Sequence, residues 1–252
     1  MTTPAIEMDD LAKRYGETVA VAGVTTSVSA GSVYGFLGPN GAGKTTTMRL
    51  LTTLTRPSSG TARVAGHSIE DREAVSAEIG YLPEDPPIYD ELTGREQLEY
   101  MAGLRDLPEP AAGERIEEML DRFDLAEDAN KRIGGYSKGM RQKIGVIQAV
   151  LHEPAVAFLD EPTSGLDPRA ARTMRDTIAE LADQEMTIFL STHILPVVDE
   201  LADTIGVLHD GKLVAEGDPE TLKSRAEAGE SATLEDAFLA VTTDEEAAEK
   251  PV

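Results

Sequence analysis

A glycine-rich loop between a predicted strand and a predicted helix constrains most strongly what this chain can fold into. Val33–Leu37 is short and apolar, as in a buried strand, and Lys44–Leu54 has the composition of a helix. The residues of the loop and of the first helical turn match G-x-x-x-x-G-K-[ST] in the strand–loop–helix setting that this pattern requires. They are Gly38, Pro39, Asn40, Gly41, Ala42, Gly43, Lys44, Thr45 and Thr46.

The residue types in this loop suit a bound phosphate chain. Glycines let consecutive backbone N–H groups turn toward one anion at a helix N-terminus. Lys44 places a positive charge on the β- and γ-phosphates, and the Thr45 hydroxyl can bind Mg²⁺. A glycine-rich turn that only opens a helix is the alternative, but a chance match in this composition occurs roughly once in a hundred chains. The loop therefore predicts binding of ATP with Mg²⁺.

A second apolar run, Ala155–Leu159, leads directly into the carboxylates of Asp160 and Glu161. One carboxylate can hold Mg²⁺ through its water shell, and the other can orient and deprotonate the water that attacks the γ-phosphoryl group. We assign Asp160 to the metal and Glu161 to the water. Exposed acids at a strand end are common in an acidic chain, so this assignment depends on the phosphate loop upstream.

His193 follows a third predicted strand, Thr187–Leu190. At the carboxyl edge of a parallel sheet its imidazole would face the bound phosphates and could sense hydrolysis. The other histidines, His67, His152 and His209, are interpreted as surface or turn residues.

The order of the predicted elements indicates an α/β fold. β-rich runs open the chain and favour antiparallel pairing, helical spacing dominates from about residue 86 to residue 150, and a βαβ pattern with a parallel sheet follows. The remaining predicted strands are Ala5–Met8, Val19–Val28 and Thr61–Ile69; the helices are Leu92–Arg105, Gly113–Phe123, Ser137–Leu151, Pro168–Leu181 and Leu234–Val241; Thr204–Ala215 is predicted as a hairpin, and Thr242–Val252 as a frayed end.

The composition limits the class of partner. The 252 residues carry 46 Asp and Glu against 23 Lys and Arg, a net charge of −23 that repels nucleic acid and anionic lipid. Only eight of the cations are lysines, which suits a cytosol of molar salt and suggests a halophilic archaeon as the source. The first residues lack the features of a signal peptide and no apolar run reaches 18 residues, so we expect a cytoplasmic protein whose membrane-spanning partner is another chain.

Four further segments resemble motifs of the ABC ATPases. Tyr136–Gln142 resembles the signature motif L-S-G-G-Q, and Ser164–Asp167 resembles the D-loop. Ile79–Glu84 stands where the family has its Q-loop, and Tyr15 stands where an aromatic residue stacks on adenine. All seven elements occur in the family's order between Tyr15 and His193.

The resemblance implies a RecA-like P-loop NTPase core with an antiparallel β subdomain and an inserted α-helical subdomain at about residues 86–152. The ATPase domain would span residues 1–225, with an acidic C-terminal helix and tail at 226–252. It also implies a head-to-tail dimer, a homodimer in our interpretation, in which Ser137 and Gly139 contact the nucleotide of the partner subunit. Asp167 is assigned to the nucleotide as well.

Departures from the family pattern at Lys138, Met140 and Glu84 bear on the predicted site. Lys138 and Met140 replace the middle glycine and the final glutamine of the signature motif. Glu84 replaces the Q-loop glutamine; its carboxylate can bind Mg²⁺ but adds negative charge beside the γ-phosphate.

The implied function is an ATPase at the inner face of the membrane that powers a separate permease. The Leu-Glu-Asp-Ala-Phe run at residues 234–238 and the signature and Q-loop segments are similar to exporter ATPases of the ABC-2, drug- or sodium-efflux type. The alternative is a soluble ABC ATPase that serves an assembly such as Fe–S cluster biogenesis.

Overall fold

The computed structural model describes residues 4–183, 186–225 and 233–248. The strands are β1 (Pro4–Tyr15), β2 (Thr18–Ser29), β3 (Val33–Leu37), β4 (Ser59–Val64), β5 (His67–Ser68), β6 (Ile79–Leu82), β7 (Val156–Asp160), β8 (Thr187–Thr192), β9 (Thr204–His209) and β10 (Lys212–Gly217). The helices are α1 (Lys44–Leu51), α2 (Arg72–Glu78), α3 (Gly94–Leu104), α4 (Glu109–Arg122), α5 (Lys138–Val150), α6 (Pro168–Ala182), α7 (Leu195–Leu201), α8 (Pro219–Arg225) and α9 (Leu234–Ala248).

The central sheet has the strand order β10-β9-β3-β8-β7-β6. All neighbouring strands in it are parallel except β10, which pairs antiparallel with β9. Every residue of β3, β7 and β8 is buried, as expected of parallel strands that are covered on both faces. Because these three strands are adjacent and parallel, their carboxyl ends meet at one edge of the sheet.

A second, antiparallel sheet has the order β2-β1-β4-β5 and packs against the central sheet with α1 in the same apolar cluster. Aromatic rings from the central sheet fill this layer. The rings of Tyr34 and Phe189 are stacked with their centroids 5.2 Å apart, and Phe36 and Phe158 lie against Phe189. The layer fixes α1, and with it the phosphate loop, against the parallel sheet.

The helices α3, α4 and α5 lie between β6 and β7 in the chain and share one apolar cluster with the other face of the sheet. Helix α5 approaches the end of β6 closely: a Cβ atom at Gly145 would lie 2.6 Å from Leu82 Cδ1 and 2.9 Å from Pro86. Ser137 caps α5 by accepting a hydrogen bond from the Met140 N–H. Among the described residues, no helix has the length and apolarity that a membrane span requires.

The α/β class and the two kinds of sheet are as the sequence predicts, but several bounds are wrong. The run Thr61–Ile69 is not one strand, because Ala65 and Gly66 both have positive φ and turn the chain between β4 and β5. Helix α1 ends at Leu51 and not at Leu54, since Thr53 adopts φ +60°. The sequence pattern does not predict the helices α2, α7 and α8.

The prediction of a frayed end from Thr242 is also wrong as far as Ala248. Helix α9 continues to Ala248, and the Thr242 hydroxyl donates to the Phe238 carbonyl at 2.8 Å. Alanine and glutamate favour helix strongly enough to extend it here. Residues 249–252 lie outside the described ranges.

His152 is half-buried and is not the surface residue that the sequence suggested. Its Nε2 lies 3.0 Å from the Ile79 carbonyl, to which it must donate, and its Nδ1 is buried without a partner among the described atoms. Burial, and then the positive charge of Arg105, lower the pKa of His152 to about 4.

We therefore predict that His152 makes the fold sensitive to acid. Between pH 6.5 and about 4 the unfolded chain binds a proton at His152 that the folded chain does not, so the free energy of unfolding falls as the pH falls through this window. His152→Gln should weaken this dependence in urea unfolding followed by circular dichroism. His67→Gln, at an exposed histidine, is the matched control and should leave it unchanged; identical pH profiles for wild type and His152→Gln would contradict the prediction.

Candidate nucleotide-binding and hydrolysis site

A cleft of about 380 Å³ opens at the edge where β3, β7 and β8 end. The phosphate loop forms one wall of this cleft, and Glu84, Glu161, Ser164 and His193 from other segments complete it. The order of the strands explains why these residues line one cleft, since residues far apart in sequence follow neighbouring parallel strands. Another cavity, of about 330 Å³, lies beside α4 and residues 151–153, away from this edge.

The phosphate loop is held closely against its neighbours. A Cβ atom at Gly43 would lie 2.2 Å from the Ala20 carbonyl oxygen, and one at Gly38 would lie 2.4 Å from the Leu208 carbonyl oxygen. Gly43 also has φ +106°, which a residue with a side chain rarely adopts. It stands at the N-cap of α1, where no described side chain caps the helix, so the first N–H groups of α1 are available to an anion.

Lys44 is buried, with 5% of its surface exposed, and already has partners. Its Nζ donates to the carbonyls of Gly38 at 2.8 Å and Pro39 at 3.2 Å. The same ammonium lies 3.4 Å from Glu161 Oε1. The cation of the phosphate loop is therefore paired with the second carboxylate of the acidic pair.

Asp160 is completely buried at the end of β7. Ser191 on β8 donates to its Oδ1, while its Oδ2 is buried and has no partner among the described atoms. A buried carboxylate oxygen without a partner is costly, so the arrangement fits a cation that binds at Oδ2. Within the described ranges, no group of three or more His, Cys, Asp or Glu side chains is placed to hold a metal ion.

Glu161 leaves the strand with φ +50°, a backbone conformation that is unfavourable for a residue with a side chain. Its N–H donates to the Ser191 carbonyl at 3.0 Å. Its carboxylate accepts from the Thr192 hydroxyl at 3.2 Å and lies 3.0 Å from His193 Nδ1. Because a carboxylate can only accept, we assign the proton to Nδ1.

Glu84 and His193 line the cleft and are both exposed. The side chain of His193 is 42% exposed, and Glu84 is exposed on the loop after β6. The neighbouring Tyr81 lies on β6; its burial and then the negative charge of Asp160 raise its pKa to about 12. The structure thus brings the loop, Glu84, Glu161 and His193 together.

The other predicted nucleotide contacts lie outside this lining. Tyr15 is 49% exposed on β1, with the Lys13 ammonium 5.0 Å from its ring centre. Ser137 caps α5, and Asp167 caps α6 by accepting from the N–H groups of the first helical turn at 3.0 Å. Gly139 packs near α6, where an added Cβ would lie 3.2 Å from Ala170 Cβ. The role that the resemblance implies for Ser137 and Gly139 involves a second chain.

Sequence reasoning missed the hydroxyl residues of the site. Ser164 stands within the D-loop motif, so its place in the cleft could have been predicted. Ser191 and Thr192 carry no comparable signal, because a hydroxyl at the end of an apolar strand is usually structural. Their contacts with the two carboxylates become apparent only from the pairing of β7 with β8.

Comparison with known proteins identifies the architecture. The sequence model of the family described as "ABC transporter" matches residues 21–164. The daunorubicin resistance ATP-binding protein DrrA3 of Streptomyces coeruleorubidus is 42% identical over 225 residues, which cover 89% of this chain and 71% of that protein. The bacitracin transport ATP-binding protein BcrA of Bacillus licheniformis is 40% identical over 222 residues, 87% of this chain and 72% of that protein.

Solved structures agree with the sequence comparison. An ATP-binding subunit of an ABC transporter superposes with a TM-score of 0.85 at 31% identity, covering 95% of this chain and 100% of the other. The ADP conformation of MJ1267, an ATP-binding cassette of an ABC transporter, gives a TM-score of 0.78 at 23% identity, which supports the fold alone. The superposition with MJ1267 covers 92% of this chain and 97% of the other. The RecA-like P-loop fold predicted from the sequence is thus confirmed.

We predict that Glu84 influences the metal requirement of this site. A carboxylate at the rim of the cleft attracts Mg²⁺ but repels the γ-phosphate, and attraction should dominate while Mg-ATP is bound. Glu84→Gln should therefore shift the Mg²⁺ concentration at half-maximal hydrolysis upward and leave metal-free ATP affinity almost unchanged. Asp85→Asn, at the adjacent exposed acid, controls for the lost surface charge. Superimposable Mg²⁺ titrations for wild type and Glu84→Gln would leave Glu84 as an ordinary surface acid.

Proposed function

This chain belongs to the ABC transporter family as an ATP-hydrolysing subunit, and from that premise we propose that it powers export through a permease on another chain. The relatives named for daunorubicin resistance and bacitracin transport support export as the direction. They are named for transport or drug resistance, so the alternative of Fe–S cluster assembly has no support. The observation that carries the proposal is the Glu161 carboxylate, held between Lys44 and His193 in a cleft walled by the phosphate loop.

ATP would bind with its phosphates against the N–H groups of residues 40–46 and the Lys44 ammonium. To reach the phosphates, Lys44 must exchange its contact with Glu161 for contacts with phosphate oxygens. Glu161 then accepts a proton from the attacking water, while His193 stays hydrogen-bonded to Glu161 through Nδ1 in the lining of the cleft that would hold the γ-phosphate.

Thr45 and Asp160 would hold Mg²⁺, with the free Oδ2 of Asp160 as the protein's main contribution. When bound, the ion would neutralise negative charge on the β- and γ-phosphates. Ser191 keeps the carboxylate of Asp160 in a single orientation.

The active unit in this proposal is a head-to-tail homodimer. Ser137 is exposed at the N-terminus of α5, and the first turn of that helix carries no acidic residue although the chain has 46 of them. Such a helix end suits a phosphate group supplied by the partner subunit. Gly139 would border the same nucleotide of the partner subunit. Asp167 would lie beside the nucleotide as well, and Tyr15 would stack on the adenine of the nucleotide that its own phosphate loop binds.

We further propose that residues 1–225 act as the ATPase unit and that the helical part, at about residues 86–152, contacts the permease. Residues 226–252 keep their assignment as the acidic C-terminal helix and tail, and α9 (Leu234–Ala248) lies in the part of them that the structure describes. The protein would then lie at the inner face of the membrane, and its net charge of −23 suits a cytosol of high salt, as in a halophilic archaeon.

Two substitutions should separate binding from hydrolysis. Lys44→Ala should abolish ATP binding, because it removes the cation that contacts ground-state phosphates. Glu161→Gln should keep binding and lose about 10²–10⁴-fold in hydrolysis rate, the typical cost of removing a general base. Lys131→Ala and Glu153→Gln, at exposed residues of the same types, are the matched controls and should behave as wild type.

Because uncleaved ATP would bridge the subunits, Glu161→Gln should form a dimer that depends on ATP. Light scattering with saturating Mg-ATP measures this directly. A monomeric Glu161→Gln protein under those conditions would contradict the proposed dimer, whereas undiminished hydrolysis would contradict the role of Glu161.

A further inference from the structure

Two consecutive hydroxyl side chains at the end of β8 donate hydrogen bonds to two consecutive carboxylates where β7 ends. Asp160 lies opposite Ser191 in the parallel pair, and Ser191 donates to Asp160 Oδ1. One residue further along in each of the two segments, Thr192 Oγ1 donates to Glu161 Oε2 at 3.2 Å. Ser191 and Thr192 are both completely buried, so water does not compete for these contacts.

Thr192 makes a second contact that Ser191 lacks. Its Oγ1 also accepts a hydrogen bond from the Ile194 N–H at 3.0 Å. One small side chain therefore connects the Glu161 carboxylate to the backbone immediately after His193. The single hydroxyl proton goes to Glu161, and a lone pair of the same oxygen holds the start of the segment that leads into α7.

Glu161 needs such a contact more than an ordinary strand residue does. Its φ of +50° is unfavourable for a residue with a side chain, and such a conformation persists only where surrounding contacts hold the residue in place. Of its described side-chain partners, Lys44 is the one that the proposed mechanism turns toward phosphate, and His193 is 42% exposed. The Thr192 hydroxyl, which is fixed within the sheet, is the completely buried contact that remains while the attacking water is deprotonated.

We infer that Thr192 is a positioning residue. During hydrolysis it holds the Glu161 carboxylate in a fixed position relative to the backbone that follows His193. The inference rests on the proposed role of Glu161 as the general base. The simpler explanation is a buried hydroxyl that only stabilises β8, as Thr187 does at the other end of the strand by accepting from the Gly31 N–H at 3.0 Å.

Thr192→Val removes the hydroxyl and keeps the shape and the preference for strand. Losing a hydrogen bond to a charged group should lower kcat about tenfold to a hundredfold, with the KM for ATP unchanged, because binding involves the loop and Lys44. Thr192→Ser should restore most of kcat. Thr187→Val, the matched control on the same buried strand, should lower the melting temperature and leave kcat at the wild-type value. If Thr192→Val does not fold, Thr192→Ala, which also lacks the hydroxyl, replaces it in the same measurement of kcat.

The decisive comparison uses the Glu161→Gln background, with single-turnover hydrolysis as the readout. Thr192→Val should have little further effect there, because the base that it positions is gone. Wild-type kcat in a folded Thr192→Val protein, or an equal fold-loss with and without Glu161, would overturn the inference. A wild-type protein that hydrolyses ATP no faster than Glu161→Gln would instead overturn the proposed function on which it rests.

Discussion

The buried ion pair between Lys44 and Glu161 is the interaction around which the site is organised. The two side chains are 6% and 7% exposed, and their charged atoms lie 3.4 Å apart. Removing both charges from water is costly, and the surrounding hydrogen bonds offset that cost: two loop carbonyls bind the ammonium, while Thr192 and His193 bind the carboxylate. In the proposed mechanism, a phosphate chain that enters the cleft would replace Glu161 as the partner of Lys44. Binding of the nucleotide and release of the proposed base would then be one event.

The order of the strands makes this pair possible. The strand that leads into the phosphate loop and the strand that ends in Asp160 both pair with β8, which supplies the hydroxyls between them. Parallel pairing points the three carboxyl ends toward the same edge of the sheet, so Lys44 and His193 both reach Glu161 there. The antiparallel sheet and the helical layers keep that edge in place from the two faces of the central sheet.

Those parts of the site whose chemistry is local could be predicted from the sequence. The phosphate loop requires glycines and a lysine at fixed spacing, and the acidic pair follows an apolar strand, so the residues themselves indicate both. Long-range packing decides the rest. The groups that His152 meets, the Ile79 carbonyl and the charge of Arg105, come from distant segments, and the contact of Thr192 with Glu161 depends on the register of β8 with β7. The positive φ of Glu161 likewise follows from the turn that the chain makes after β7.

Equilibrium binding of ADP in the absence of divalent metal tests the central claim most directly. ADP has no γ-phosphate for Glu161 to repel strongly and cannot be hydrolysed, so its affinity reports chiefly on the release of Lys44. If ADP must displace Glu161 from Lys44, Glu161→Gln should bind ADP about tenfold more tightly than wild type, which corresponds to about 1.4 kcal/mol. The affinities are measured by titration calorimetry, with Glu153→Gln as the control. An ADP affinity of Glu161→Gln that is equal to or weaker than that of wild type would contradict the displacement of Glu161 by phosphate.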